Sequence, residues 1–207
     1  MDVLDLQNKL DSLTAWRKSE LFQAHFLAEN ARNDDAKRYL CRAWVLMMYA
    51  HCDNFLKEST KIYLNYAKSK FVSSCEIELI WLVMRGRENI TDGAEDKYKS
   101  LSDFSKLDRW VHLDEKLLKE VLGKSSFKYR YLRFVCDWVL QVHFNHQDIS
   151  DFCETLKKKR DAIAHGEQSY VEEISDCLPW HEKTIKFMDT LKDTLVDAAR
   201  DAVKASA

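Results

Sequence analysis

Residues that interrupt helices are scarce in this chain, and that scarcity constrains its fold more than any other feature. Only 4 Gly and 1 Pro occur among 207 residues. Glycine and proline are the residues least tolerated inside helices, and proteins built from strands need them for their turns. Hydrophobic residues make up 46% of the chain, enough to fill a core. The sequence therefore predicts an all-α bundle of four to five main helices, with an insertion in the middle.

Apolar residues recur at helical spacing in five segments. The first segment spans residues 1–30. The second starts at Asp34 or Asp35 and runs through YLCRAWVLMMYA, which is apolar almost all round and predicts the central helix of the bundle. The single proline, Pro179, is expected near the first turn of the last helix, where proline is tolerated. The three remaining helices are predicted over residues 126–144, 149–165 and 170–203.

Residues 68–125 depart from this pattern. Three of the four glycines fall here, and a short apolar run at 77–84 stands between polar, loop-like pieces. The segment is predicted to be an insertion with one or two short helices, or equally a small hairpin. The length of the chain suits one domain, so we expect residues 1–207 to form a single domain that carries this insertion.

Charge and cysteine content restrict the class of protein. The formal net charge of −2 gives no overall attraction to nucleic acid or to an anionic membrane, so any RNA site must be a local patch. The six cysteines are widely spaced without a C-x-x-C pair, which predicts reduced, mostly buried thiols in a cytoplasmic protein. The acidic, amphipathic start MDVLDLQNKLDS is not typical of a signal peptide, and no apolar run approaches the roughly 20 residues of a membrane span.

The segment LKKKRDAIAHGEQ, residues 156–168, carries the candidate chemistry. The apolar residues of its helix form a stripe that includes Phe152, Leu156 and Ile163. Arg160 stands where this stripe requires an apolar residue. A charge at such a position is costly unless it has a partner or lies in a water-accessible cleft or interface. Arg160 is therefore either a buried structural arginine or a functional one.

His165 and Gly166 close the same helix. Gly166 is placed to end it as the C-terminal glycine, and the helix dipole there favours a protonated His165, although a histidine in this place is often only part of a cap. Small side chains at Ala162 and Ala164 leave room beside Arg160. Five positions along a helix turn through about 500°, so Arg160 and His165 point about 140° apart. Two copies related by a two-fold axis would bring both pairs to one cleft.

The run RDAIAHG resembles the signature of ribonucleases in the HEPN superfamily, in which four to six residues separate an arginine, usually followed by a polar residue, from a histidine. Arg160, Asp161 and His165 match that signature. A second stretch, AHCDNFLK, is similar to a segment on the long second helix of the RiboL-PSP-associated, MAE-like HEPN branch, with Asp53 as its acidic residue. Both stretches lie on predicted helices, and the resemblance implies that the predicted all-α fold is a HEPN-like helical bundle.

This resemblance covers about residues 40–60 and 126–200, and it implies a metal-independent endoribonuclease that leaves 2′,3′-cyclic phosphate and 5′-OH ends. Arg160 and His165 would be catalytic, with Asp161 and Asp53 in support, and no metal or other cofactor is expected. The alternative for Asp53 is a buried acid bonded to a neighbouring helix.

The resemblance also implies partners: an RNA substrate and a second copy of the chain that completes a composite active site. Lys157, Lys158 and Lys159 are candidate RNA-phosphate contacts, or else a solvated face that matches the helix dipole. The biological role would be that of a toxin or phage-defence effector, checked by an antitoxin or regulatory protein. Glu167 stands where some HEPN toxins carry a tyrosine that a nucleotidyltransferase modifies, so silencing by that route is not expected. The alternative function is a non-catalytic HEPN-like helical module that binds a protein or a nucleotide.

Overall fold

The computed structural model describes residues 1–70, 127–140, 142–145, 149–167, 171 and 173–205. Every regular element in these ranges is helical, which confirms the all-α prediction. Beyond Lys70 the predicted insertion lies outside the described residues. The elements, in chain order, are α1 (Val3–Glu29), α2 (Asp34–Lys70), α3 (Tyr129–Phe134), a π-helical turn (Val135–Val139), α4 (Ile149–Ala164) and α5 (Ile174–Ala205).

Helices α1 and α2 form an antiparallel hairpin with defined ends. At the start of α1, Asp2 and Asp5 exchange side-chain to backbone hydrogen bonds, the reciprocal arrangement of a capping box. At the start of α2, the Asn33 side chain accepts from the backbone N–H of Ala36 at 2.8 Å. These caps satisfy backbone donors that a helix terminus leaves without partners, so both helices begin where the sequence places a short polar residue.

Helix α2 is the central element, as its apolar sequence predicts. It packs against α1, α4 and α5. Phe127, which precedes α3, connects α4 to α5. Its ring contacts Phe152 of α4 at 5.9 Å and Phe187 of α5 at 5.0 Å between centroids. Such edge-to-face contacts add specific geometry to the burial of aromatic area. The largest buried hydrophobic side chains of this core are Trp44, Tyr66, Phe55, Phe127, Phe144, Phe152 and Phe187.

The prediction of one helix over residues 126–144 is wrong for the second half of that range. The regular α-helix ends at Phe134, and the chain continues through the π-helical turn, where the N–H of Leu140 donates to the carbonyl of Val135 at 2.8 Å. Val142 and Phe144 are then buried while His143 is exposed. That alternation has a period of two residues, so the apolar side chains reach the core from an unwound backbone rather than from a helix.

The last helix also differs from its prediction. It begins at Ile174, so Pro179 is its sixth residue and lies beyond the first turn. Proline there removes one intrahelical hydrogen bond, which the packing of the long helix on α1 and α2 tolerates. The five cysteines in the described ranges are free and buried: Cys41, Cys52, Cys136, Cys153 and Cys177. Within the same ranges, no helix is both long enough and apolar enough to cross a bilayer.

Candidate functional site

The C-terminal end of α4 is closed by a glycine turn. The N–H of Glu167 donates to the carbonyl of Ala162 at 2.9 Å, and the N–H of Gly166 donates to that of Ile163 at 3.2 Å. This pair of bonds is the Schellman motif, which needs a left-handed residue, and Gly166 has φ of 73°. The predicted glycine cap is present. The helix ends one residue earlier than predicted, and His165 is its exposed cap residue.

Arg160 lies on the edge of the apolar stripe of α4. Phe152 and Leu156 of that stripe are buried, whereas the Arg160 side chain keeps 30% of its surface exposed. Its guanidinium carbon sits 4.2 Å from the centre of the Tyr49 ring on α2, a cation–π contact. Its Nη1 is 2.9 Å from Asp161 Oδ1. Arg160 is thus held between two helices without being removed from solvent.

Asp161 forms ion pairs with Lys157 and Arg160 near the C-terminal end of α4. The Lys157 ammonium donates to Asp161 Oδ2 and, as the largest cause, lowers the pKa of that carboxyl. The positive charges of Arg160 and His165 lower the Asp161 pKa further. Asp161 is therefore ionised at neutral pH, and its charge offsets part of the positive charge at the helix end.

The three lysines differ in their surroundings. Lys157 forms the ion pair with Asp161. Lys158 is exposed, and Lys159 stands over the ring of Trp180 on α5 with its ammonium 5.8 Å from the ring centre. Lys158 is the one whose ammonium is most accessible to a bound phosphate.

Asp53 lies one helical turn after Tyr49 on the same face of α2. Its Oδ2 pairs with Lys57 at 2.6 Å rather than with Arg160 or His165. Its Oδ1 is buried and has no hydrogen-bond partner among the described residues, and the same is true of Arg160 Nε. Asp53 thus shares a face of α2 with Tyr49, the residue that Arg160 contacts from α4.

His51, in the same stretch of α2, faces away from this site. It is buried against α1, where its Nε2 lies 3.1 Å from Glu20 and its ring meets Trp16 at 5.4 Å between centroids. Burial lowers the pKa of His51, and the Glu20 charge opposes that effect. Tyr49, by contrast, meets Arg160 and was missed by sequence reasoning. Its position four residues before Asp53 was the available signal, since residues so spaced share a helix face.

The site combines a partly exposed arginine, a carboxylate beside it and an exposed histidine at the end of one helix of an all-α bundle. In the described ranges, no group of three or more His, Cys, Asp or Glu side chains is arranged to hold a metal ion. A family model, described as MAE_28990-like HEPN, matches residues 6–202. The chain therefore belongs to the HEPN superfamily, whose domains are often ribonucleases or nucleotide-binding modules and often dimerise. Comparison with curated proteins and with solved structures finds no match.

Proposed function

We propose that this protein is a metal-independent HEPN endoribonuclease in which Arg160 and His165 are catalytic. The observation that carries the proposal is the placement of Arg160. It is fixed against Tyr49 and Asp161 while about a third of its side chain stays exposed, on the helix whose exposed cap is His165. A cation that is held in place and open to solvent suits phosphate binding and stabilisation of a developing negative charge.

In the proposed reaction the ribose 2′-oxygen attacks the adjacent phosphorus as the P–O5′ bond breaks. His165 either takes the proton from the 2′-OH or gives a proton to the departing 5′-oxygen, and solvent carries out the other of these two transfers, so that no net proton is gained or lost. Arg160 binds the phosphate oxygens and stabilises the pentavalent transition state. The products are a 2′,3′-cyclic phosphate and a 5′-OH, so no water molecule is consumed and no redox partner is needed.

A second copy of the chain completes the site in this proposal. On one α4 helix, Arg160 and His165 point about 140° apart, too far to meet easily at one phosphate. A two-fold axis near the end of α4 places the arginine of one copy opposite the histidine of the other. Both residues are accessible for this arrangement, because His165 is exposed and Arg160 is partly so.

Asp161 and Asp53 support the catalytic pair in different ways. Asp161 holds Arg160 through Nη1. Asp53 brings an unsatisfied buried acceptor to the face of α2 where Arg160 brings an unsatisfied buried donor. Because Asp53 shares the face of α2 that Arg160 contacts through Tyr49, we assign Asp53 the orientation of Arg160. Lys158, with Lys157 and Lys159, extends the positive surface along α4 for the RNA backbone.

The proposed biological role is that of a cytoplasmic toxin or phage-defence effector, held in check by an antitoxin or a regulatory protein. A second function is favoured by one observation. Arg160 already has an aromatic ring and a carboxylate as partners, as a purely structural arginine would. In that case the chain is a non-catalytic HEPN module that binds a protein or a nucleotide.

His165→Ala separates the two functions. It removes the proposed proton-transfer group, and we expect cleavage of single-stranded or loop RNA to fall by about 10²–10⁴-fold. The wild-type activity should persist in excess EDTA. The assay is gel analysis of a labelled RNA with identification of the cyclic phosphate end. His143→Ala, which removes another exposed histidine, is the matched control and should cut normally. Cleavage that requires an added divalent metal, or a fully active His165→Ala, would overturn the proposed mechanism, and a wild type that does not cleave RNA would leave only the binding-module function.

A further inference from the structure

We infer that Tyr49 is the positioning residue for Arg160: its ring is a platform that holds the guanidinium in the place where the scissile phosphate binds. This inference rests on the proposed function of Arg160. Neither the HEPN-like signature nor the spacing of charged residues assigns Tyr49 any role.

The contact between the two side chains is close and largely dry. The guanidinium carbon of Arg160 stands over the Tyr49 ring, 4.2 Å from its centre. Tyr49 is 7% exposed, so water has little access to the ring. A guanidinium above the negative face of a desolvated aromatic ring is attracted more strongly than one at an exposed site. Tyr49 therefore restrains a long side chain that would otherwise sample many rotamers.

The platform is itself fixed by the core. The backbone N–H of Phe127 donates to the Tyr49 hydroxyl at 3.0 Å, and the two rings meet edge to face at 6.2 Å between centroids. Phe127 also packs on Phe152, two turns before Arg160 on α4. The ring below the guanidinium and the helix above it are thus tied to the same aromatic residue. Such a connection sets the position of Arg160 before any ligand binds.

This arrangement leaves one part of the guanidinium for a ligand. Tyr49 covers one face, Asp161 takes Nη1, and Nε is buried. The second terminal nitrogen, Nη2, donates no hydrogen bond to the described residues and belongs to a side chain that is 30% exposed. A phosphate oxygen that approaches in the guanidinium plane would accept from Nη2. Tyr49 thus selects which edge of Arg160 meets the substrate.

Two substitutions separate a platform from a core residue. Tyr49→Phe keeps the ring and loses the bond from Phe127, so it should lower the unfolding midpoint but leave kcat within about threefold. Tyr49→Leu removes the ring face and should lower kcat by about 10–100-fold, with a KM change below about threefold, because the guanidinium is misplaced in the transition state. In an Arg160→Ala background, Tyr49→Leu should cause no further loss of cleavage. A further loss there, or equal losses for Tyr49→Phe and Tyr49→Leu, would show that Tyr49 acts only through stability.

A second measurement judges the inference without cleavage. Arg160 Nε is buried, so its proton should exchange slowly with water. Because the guanidinium stands over the Tyr49 ring, that proton is expected near the ring face. In ¹H–¹⁵N spectra of arginine side chains, the signal that disappears in Arg160→Lys should be shifted by the ring current and rigid in the wild type and in Tyr49→Phe. An unshifted, mobile signal in the wild type would overturn the platform, even if Tyr49→Leu fails to fold.

RNA binding separates this inference from the proposed function. If the wild type does not cut RNA, the catalytic proposal fails by itself. Tyr49 is then judged by binding of a 2′-O-methyl RNA that cannot be cleaved. We expect Tyr49→Leu to weaken that binding by about 3–10-fold and Tyr49→Phe to leave it unchanged. If the wild type and Tyr49→Leu bind the 2′-O-methyl RNA with equal affinity, Tyr49 does not position Arg160.

Discussion

Helix α2 meets an arginine on each of two faces, and the two arginines are stacked alike but placed differently. Arg17 of α1 stands 4.2 Å from the centre of the Trp16 ring, and Arg160 of α4 stands 4.2 Å from that of Tyr49. Each has a buried Nε without a partner among the described residues. Arg17, however, is 1% exposed, whereas the Arg160 side chain keeps 30% of its surface.

The partners of the two arginines differ as well. Arg17 donates to the backbone carbonyl of Leu13 at 3.0 Å, and Glu58 and Glu20 act on it at longer range. Burial is the largest effect on Arg17, and it lowers the pKa of the guanidinium. Arg160 has a carboxylate neighbour, Asp161, at 2.9 Å and open access from solvent. A stacked arginine is therefore not evidence of function by itself, because exposure of the remaining guanidinium edge decides whether a ligand can reach it.

The largest expected effect is on cleavage by Arg160→Ala. Loss of a positioned transition-state cation should lower the rate by about 10²–10⁴-fold. The free energy of unfolding should fall by no more than about 2 kcal/mol, since the lost cation–π contact with Tyr49 is worth at most about that much and the apolar stripe does not need the side chain for packing. Cleavage kinetics and urea unfolding measure the two quantities. Arg200→Ala, at an exposed arginine of α5, is the control. If Arg160→Ala unfolds the protein and Arg200→Ala does not, Arg160 is a structural arginine like Arg17.

Arg17→Ala should show the reverse pattern. Removing a long buried side chain from Trp16 and Phe55 leaves a cavity, and we expect a loss of about 3 kcal/mol in the free energy of unfolding. Cleavage per folded molecule should stay unchanged. Arg17→Met fills the space without the buried charge and should recover most of the stability. A stable Arg17→Ala protein with impaired cleavage would remove the distinction between the two arginines.

Asp53→Asn tests whether the α4 side of α2 works as a unit. If Asp53 orients Arg160, the loss of its charge should lower cleavage by about tenfold with little change in RNA affinity. Lys57→Gln breaks the same Asp53–Lys57 ion pair but keeps the carboxylate, so it should lower cleavage far less. Equal losses in the two variants would mean that the ion pair, and not the carboxylate, matters.

The smallest expected effect concerns acid stability. The folded pKa of Asp161 lies below its unfolded value of about 3.9, so its carboxylate stabilises the fold above that pH, and the contribution is lost as pH falls through the folded pKa. Asp161→Asn should be less stable than the wild type by about 0.5 kcal/mol at pH 7, because the pairs are largely exposed. Urea unfolding at pH 7 and pH 3 should show this difference closing in acid, and also in high salt. A difference that persists at pH 3 would assign the effect to packing.

The features that the sequence predicted correctly are local ones. The extent of α4 follows from its periodicity to within one residue, and the left-handed turn at Gly166 follows from the glycine itself. The helix predicted over 126–144 failed because Val142 and Phe144 reach the core by alternation, which periodicity over a longer window hides. The roles of Arg160 and His165 stay predictions.

Contacts between helices were the part that the sequence did not reveal. Helical periodicity shows that Arg160 interrupts the apolar stripe of α4. Which residue Arg160 contacts depends on how α4 crosses α2. The same limit applies to Asp53, whose ion pair is with Lys57 on its own helix. Crossing positions follow from side-chain packing along the whole interface, and no short motif encodes them.

Gly166 is required for its positive φ, and there is space for a larger side chain at this position. A Cβ built on this residue meets no atom within 4 Å, so the positive φ is the whole constraint. Asparagine accepts that conformation better than other side chains do. The position is therefore a natural attachment point. An asparagine there, or a small reporter group that tolerates the same torsion, would stand in open space next to His165 and record what approaches the tip of the helix.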